Sequence, residues 1–431
     1  VHDLSIMEYV IPQKPVAVSA TGLAHVPGRS ENVAFLTMFF DGPLSRFELS
    51  QLTGLSSATV SNVTAELVEE RLIVEAGQVE SDGGRPRVLL RVDPGYGTVI
   101  GIDVGETGVK VELFDLAMQR MATVDEPLPS RRPDPVAVAA QVAAGIREIL
   151  TLGPVLADSV VGVGIGVPGT VAQGETVLVH APTIGWESVA LELMLKQRGI
   201  DLPVFIDNGA KTLGRAEMWF GAGRGARNAV VALVGSGVGA AVITDGGTYR
   251  GASSSAGEWG HTTLIFGGRP CRCGSRGCLE AYVGAEGILD RYREAGGTLD
   301  PTGQGELASI EAVIAAADGS GIAAGLLDET ADYLGAGIAN LINLFNPGRV
   351  VLGGWAGQAI GLRLLPRIRA TAGAHALAHP FGQATIELGR LGSDAVALGA
   401  ATLPVGDLLS RGADPRVGRR PAATVRGADH G

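Results

Sequence analysis

The first 30 residues are broken up by proline and glycine and show no apolar period, which reads as a flexible leader over 1–30. From Val33 the apolar positions take helical spacing: Val33, Leu36, Phe39 and Phe40 share one face, and Asp41-Gly42-Pro43 ends the run. A second short helix is predicted over Ser45 to Leu52, with Phe47, Leu49 and Leu52 apolar. Thr53-Gly54-Leu55 reads as a tight turn, and Ser56 as the N-cap of a third helix that buries Val60, Val63, Leu67 and Val68. Leu72-Ile73-Val74, then Ser81-Asp82-Gly83-Gly84, then Val88-Leu89-Leu90 read as strand, turn, strand. Three helices with a glycine turn before the third and a hairpin after it predict a winged helix-turn-helix over 31–92.

Beyond Asp93-Pro94-Gly95 the pattern becomes α/β. Strands are predicted at Val99–Asp103, Val109–Phe114, Val160–Val167, Val204–Ile206, Val230–Val234, Ala240–Thr244 and Val350–Leu352. Helices are predicted at Pro135–Leu150, Val189–Arg198, Ala210–Phe220, Ala308–Ala317, Leu326–Phe345 and Ala395–Leu403. Two rounds of this alternation predict two lobes, 98–225 and 226–403, with a cleft between them. The end, 404–431, is rich in Gly, Ala, Pro and Arg and reads as a disordered tail.

Composition narrows the class. Apolar residues make up 46% of the 431 and charged residues 18%, which excludes a mostly disordered chain. The 64 glycines lack a three-residue period, so collagen is excluded and tight turns or close backbone approaches are expected. The longest uncharged stretches, Ala229 to Thr244 and Tyr333 to Gly348, fall short of the roughly 18 residues of a membrane span, and no secretion signal is visible. No membrane partner and a cytoplasmic location are therefore expected. The net charge of −11 argues against a generally DNA-coating surface.

All three cysteines fall within eight positions, after a histidine: His261, then Cys271-x-Cys273-x4-Cys278. Three thiolates and one imidazole match a four-coordinate structural zinc site with no open position. Glu258 precedes this cluster and Glu280 follows it. A loop folded around metal would bring the two carboxylates together and hold them, which suits hydroxyl donors such as a sugar's. Gly164-x-Gly166-x-x-Gly169 matches a dinucleotide pattern on paper, but Pro168 lies inside it and strand, not helix, is expected after it. Asp103-x-Gly105-x-Thr107 and Gly235-Ser-Gly237-Val-Gly239 each link two strands, as phosphate-binding hairpin loops do.

The chain resembles the ROK family of repressors, open reading frames and kinases over about residues 31–403. The resemblance rests on the N-terminal winged helix with Gly83-Gly84-Arg85-Pro86, the Asp103 loop, Gly164-Ile-Gly-Val-Pro-Gly169, Asp207-Asn208 and Gly221-Ala-Gly-Arg-Gly225. Glu258-Trp-Gly-His261 and Cys271-Arg-Cys-Gly-Ser-Arg-Gly-Cys-Leu-Glu280 complete it. It implies a two-lobed, actin-like (ribonuclease H-like) sugar-kinase fold with a zinc loop. It also implies sugar contacts at Asn208, Glu258, His261 and Glu280, with zinc on His261 and the three cysteines.

Family kinases place an aspartate base after the asparagine. Here Gly209 stands at that position, and base catalysis is worth roughly two to four powers of ten. Glu106 stands where the family's first phosphate loop has a glycine. The expectation is a non-enzyme whose sugar pocket only senses. In the DNA module, Ser57, Thr59, Ser61 and Asn62 are expected at base edges, Arg85 and Arg87 on the wing, and Arg46 and Arg91 at phosphates. From Pro43 to Val92 five arginines face seven acids, net −2, so phosphate contacts are few and a dimer on two half-sites would compensate. The resulting expectation is a homodimeric or homotetrameric transcriptional regulator, a repressor, with operator DNA and a sugar or sugar phosphate as partners. Its rivals are an active ATP-dependent sugar kinase and a zinc-dependent interaction protein that senses no small molecule.

Overall fold

The computed structural model describes residues 43–81, 84–152, 159–299 and 305–410, and every structural statement below concerns these. The helix expected at Val33, the leader, and the tail beyond 410 lie outside the described residues.

The N-terminal module follows the sequence closely. Ser45 and Glu48 form a reciprocal cap at the start of helix Arg46–Thr53: the Ser45 hydroxyl accepts from Glu48 N at 3.3 Å, and the Glu48 carboxylate accepts from Ser45 N at 2.8 Å. Gly54 ends that helix at φ 68°, and Ser56 caps the helix Ser57–Glu69 by accepting from Thr59 N at 3.1 Å. The buried face of the second helix is Val60, Val63, Thr64 and Leu67. Val68, expected inside, is 38% exposed. It lies about 100° round the axis from Leu67, and Thr64 fills the inner stripe with its hydroxyl donating to Val60 O at 2.8 Å. Strands Ile73–Ser81 and Gly84–Val92 form the hairpin, and Leu44–Ser45 pairs with Leu89 and Leu90 to complete a three-stranded sheet.

Two five-stranded sheets follow, with the same internal topology. In the first, Thr98–Val104 is central, antiparallel to Gly108–Asp115 and then Arg120–Pro127 on one side, and parallel to Val160–Val167 and then Val204–Asn208 on the other. In the second, Ala229–Val234 is central, with Val238–Thr244 and Gly247–Thr248 antiparallel on one side and Arg349–Gly353 and Thr385–Leu388 parallel on the other. Strand Thr170–Ala172 follows Gly169, so the dinucleotide reading fails as expected.

Several elements were not anticipated. Strand Arg120–Pro127 is an edge with one buried residue, Val124, so it carries no apolar alternation. Helix Trp355–His375 holds Gly357, Gly361 and Pro366, which mask its period. The last helix runs Ala395–Ser410 through Pro404, so 404–410, expected in a disordered tail, are helical. Helix Pro135–Leu152 is long and apolar enough to cross a bilayer by length and composition. Its Val138, Val142, Ile146 and Ile149 are instead buried, and the helix packs against Gly108–Asp115 and Arg120–Pro127.

The two lobes are joined by a pair of helices. Ala395–Ser410 packs on Thr98–Val104 and Val160–Val167, hence on the first lobe rather than the second. Gly209–Phe220 packs on that helix and on Ala229–Val234 and Val238–Thr244 of the second sheet. Glycine makes the approach possible. A Cβ at Gly164 would lie 1.8 Å from Ala400 O, one at Gly101 2.1 Å from Ala397 O, and one at Gly399 1.8 Å from Thr212 O. The far ends of the two helices, Trp219, Ala401, Val405 and Leu408, share one apolar cluster with Leu49, Val60, Val63, Leu67, Ile73 and Leu90 of the N-terminal module.

Overpacking at the helix–sheet contact is expected to destabilise Gly164→Ala by about 3 kcal/mol. Gly325→Ala, on an exposed stretch of helix Gly321–Phe345 with nothing within 4 Å, is expected to stabilise by up to about 1 kcal/mol. Denaturant titration of the two variants checks both signs.

Candidate ligand cleft and metal loop

A cleft of about 840 Å³ opens between the lobes, within the range of pockets that enclose small ligands. The first lobe brings the 103–108 loop, Gly169 and Asn208 to it; the second brings the 235–239 loop, Glu258, His261 and Glu280; Trp355 stands at the start of its helix. All four residues expected at the sugar are therefore brought together.

Asn208 ends strand Val204–Asn208 and caps helix Gly209–Phe220. Its Oδ1 accepts from Ala210 N at 2.9 Å and Lys211 N at 3.1 Å, and its Nδ2 donates to Gly169 O at 2.6 Å. Much of its hydrogen-bonding capacity thus goes to the fold, and one amide hydrogen remains for a ligand. Gly209 faces the cleft, and a Cβ there would meet only Val167 O at 3.6 Å and Val396 Cγ1 at 3.9 Å. Space does not demand glycine. Asp207 is turned away and buried, with Oδ2 accepting from Arg250 Nη2 at 2.7 Å and Oδ1 accepting from Asn208 N at 2.9 Å.

Glu258 and His261 lie on the short turn before the cysteine loop. Burial pushes the Glu258 carboxyl up, opposed by His261 and Lys211. Glu280 begins the turn of helix after the loop. Its Oε2 accepts from Val238 N at 2.9 Å, and its Oε1 lies 3.4 Å from Arg272 Nη2. Burial also pushes Asp103, at the other wall of the cleft, up to about 7, with Lys110 opposing.

His261, Cys271, Cys273 and Cys278 offer ligand atoms that all lie within 4.8 Å of one another, so the group could hold a metal ion. Nδ1 of His261 is 3.7 Å from Cys271 Sγ, and Cys273 Sγ is 3.8 Å from Cys278 Sγ. Two sulfurs bound to one tetrahedral zinc would lie about 3.8 Å apart, so the spacing fits. Positive φ at Gly267, Gly274 and Gly277 wraps the loop, and a Cβ at Gly277 would lie 1.7 Å from Ile265 O.

Four charged residues of the site were missed in the sequence. Lys211 is buried and donates to Ser254 O, and burial lowers its pKa, opposed by Asp207. Arg272 carries the signal of lying between two metal-type cysteines. Its guanidinium bonds both oxygens of Glu106 across the cleft, one at 3.1 Å, and lies 3.2 Å from Glu286. Arg131 of the first lobe pairs with Glu286 at 3.1 Å and Glu306 at 2.8 Å of the second. Arg250 joins Asp207 from the opposite lobe. Nothing in the local sequence marks Arg131 or Arg250.

On the N-terminal module, Ser57, Ser61 and Asn62 are exposed on helix Ser57–Glu69. Thr59 is half-buried, and its hydroxyl is 2.9 Å from that of Ser56, within the cap. Arg87 lies with its guanidinium carbon 4.4 Å from the ring centroid of Phe47, which holds the wing to the first helix. Arg46 Nε donates to Thr64 at 2.9 Å, so its charge is tied to the packing of the two helices. The Arg85 side chain lies outside the description.

The ROK family model matches residues 99–406. The xylose repressor of Caldicellulosiruptor bescii is 32% identical over 381 residues, covering 85% of this chain and 93% of that one. The glucokinase of Halalkalibacterium halodurans is 33% identical over 314 residues, covering 70% of this chain and 94% of that one. Among solved structures, a ROK family transcriptional regulator homologous to the Escherichia coli MLC protein superposes with TM-score 0.71 at 27% identity, covering 89% of this chain and 96% of that one.

Proposed function

The chain belongs to the ROK family, and we propose that it is a sugar-responsive, DNA-binding transcriptional repressor with no phosphotransferase activity, acting in the cytoplasm as a homodimer or homotetramer. One observation carries the sensing role: helices Gly209–Phe220 and Ala395–Ser410 both begin at the cleft and both end in the apolar cluster of the N-terminal module. A ligand that changes how the lobes close must move their far ends, and with them helix Ser57–Glu69. Release of DNA then requires only that the sugar prefer the non-binding arrangement, with a coupling of about 1 to 3 kcal/mol.

Residues 31–92 act as a winged helix-turn-helix, 98–225 as the first lobe, and 226 onwards as the second up to the last helix, which returns to the first. Ser57, Ser61 and Asn62 reach base edges; Asn62 has the donor–acceptor pair that suits adenine. Arg85 and Arg87 serve the wing, and Thr59 contributes through its cap. Glu258, Glu280, His261 Nε2 and the free amide hydrogen of Asn208 take sugar hydroxyls. Gly209 carries no carboxylate at the position where the family's kinases place their base, and Arg250 holds Asp207 away from the cleft. The metal group holds structural zinc. When bound, zinc fixes the loop that carries Glu258, His261 and Glu280; it takes no part in chemistry. An active kinase is disfavoured by Gly209 and by Glu106 at the phosphate loop.

Fluorescence anisotropy on a selected operator tests the reading. Asn62→Ala is expected to weaken DNA binding tenfold or more and leave sugar binding intact. Glu258→Gln is expected to do the reverse: normal DNA binding, with release by xylose or glucose lost. DNA affinity unmoved by any sugar for the unaltered protein would contradict sensing. Removing zinc with a chelator, or Cys273→Ser, is expected to weaken sugar binding more than DNA binding, read by calorimetry and anisotropy on the same sample. Equal loss of both would assign the metal to global stability.

A further inference from the structure

The cleft is acidic. Among the described residues lining it, six are carboxylates (Asp103, Glu106, Asp125, Glu258, Glu280 and Glu306) and one is a lysine, Lys110. That lysine is engaged by Asp394 at 2.7 Å and Asp125 at 3.8 Å. The guanidinium of Arg272 is engaged by Glu106, Glu280 and Glu286.

The two loops that could cradle a phosphate are partly engaged from within. In the 235–239 loop, Gly235 N donates to Gly237 O at 2.9 Å, Val238 N to Glu280 at 2.9 Å, and the Ser236 hydroxyl to Glu306. In the 103–108 loop, Gly105 N donates to Gly108 O at 2.9 Å. The first amides of helix Gly209–Phe220 are capped by Asn208. Glu106 and Glu280 come together over Gly237, where a Cβ would lie 3.3 Å from Glu106 Oε1 and 3.2 Å from Glu280 Oε2. Two carboxylates thus stand over this loop, with Arg272 Nη2 beside them at 3.8 Å from the same point.

Resting on the sugar-sensing reading, we infer that the cleft selects uncharged, unphosphorylated saccharides and rejects sugar phosphates and nucleotides, with Glu106 as the specificity-determining residue. A phosphate ester carries close to two negative charges at neutral pH. In this cleft it meets acidic groups at short range, and the two cations named above are already engaged by carboxylates. A neutral sugar meets the same carboxylates as hydrogen-bond acceptors. Arg272 keeps Glu106 in place, and through the cysteine loop the anion filter is part of the wall that holds Glu280. The counter-feature is the start of helix Trp355–His375, which opens on the cleft without a side-chain cap and is where an ester phosphate would settle if the filter failed.

Calorimetry with the full chain tests this using glucose, xylose and N-acetylglucosamine, each against its own phosphate monoester. The neutral member is expected to bind at least tenfold more tightly in every pair that binds, and magnesium ATP is expected not to raise the melting temperature. Glu106→Gln, which keeps the size and removes the charge, is expected to narrow the gap at least threefold. Raising salt from about 50 to 500 mM in the unaltered protein is expected to narrow it too, a readout that needs no variant. A phosphate ester that binds as tightly as its parent overturns the inference and leaves sugar sensing standing. A gap that persists unchanged in Glu106→Gln and at high salt overturns the role of charge. Binding of neither member of any pair overturns the sensing reading and this inference with it.

Discussion

Backbone contact between two helices and a sheet, allowed by glycine, is the constraint on which the rest of the molecule depends. Ala395–Ser410 lies on the first sheet at Gly101 and Gly164 and meets Gly209–Phe220 at Gly399, at distances where any side chain would collide. Contacts this close leave little room for independent motion, because packed interfaces repack between discrete arrangements rather than stretch. On the proposed reading, the pair acts as a lever. One end starts at the ligand cleft, beside Asn208 and Ala395, and the other is built into the core of the module that carries helix Ser57–Glu69.

The same economy governs the cleft. Three of its carboxylates are held by partners rather than left to solvent: Glu280 by Val238 N and Arg272, Glu106 by Arg272, and Glu306 by Ser236 and Arg131. Several of these ties cross from one lobe to the other, namely Glu106 with Arg272, Arg131 with Glu286 and Glu306, and Asp207 with Arg250. A ligand that competes for any of them alters closure directly. On the proposed reading, closure acts through the helix pair on the N-terminal module.

Much of this architecture could be read from the sequence, and the parts that could not have identifiable physical causes. Two of the three expected N-terminal helices, Arg46–Thr53 and Ser57–Glu69, follow the sequence closely because caps and turn are local chemistry: Ser45 with Glu48, Gly54 at positive φ, Ser56 with Thr59. The repeated strands stood out because Val160–Val167 and Ala229–Val234 are buried apolar runs. Arg120–Pro127 was invisible because an edge strand needs only Val124 inside, and Trp355–His375 because Gly357, Gly361 and Pro366 interrupt its composition. The metal group was legible from spacing alone, since His261 and three cysteines have few other reasons to cluster. The charged ties were not, because Arg131 meets Glu306, and Arg250 meets Asp207, only through the tertiary fold. Asn208 was assigned to a ligand and proves to serve first as a helix cap.

The lever is tested most directly by measuring how far a bound sugar shifts DNA affinity after its far end is loosened. Trp219→Ala removes a buried ring where helix Gly209–Phe220 enters the shared cluster, without touching cleft or DNA face. The account predicts that this variant binds sugar and operator each within about threefold of the unaltered protein. It also predicts that the sugar-dependent shift in operator affinity collapses from an expected 5- to 150-fold to near onefold. An undiminished shift would contradict it.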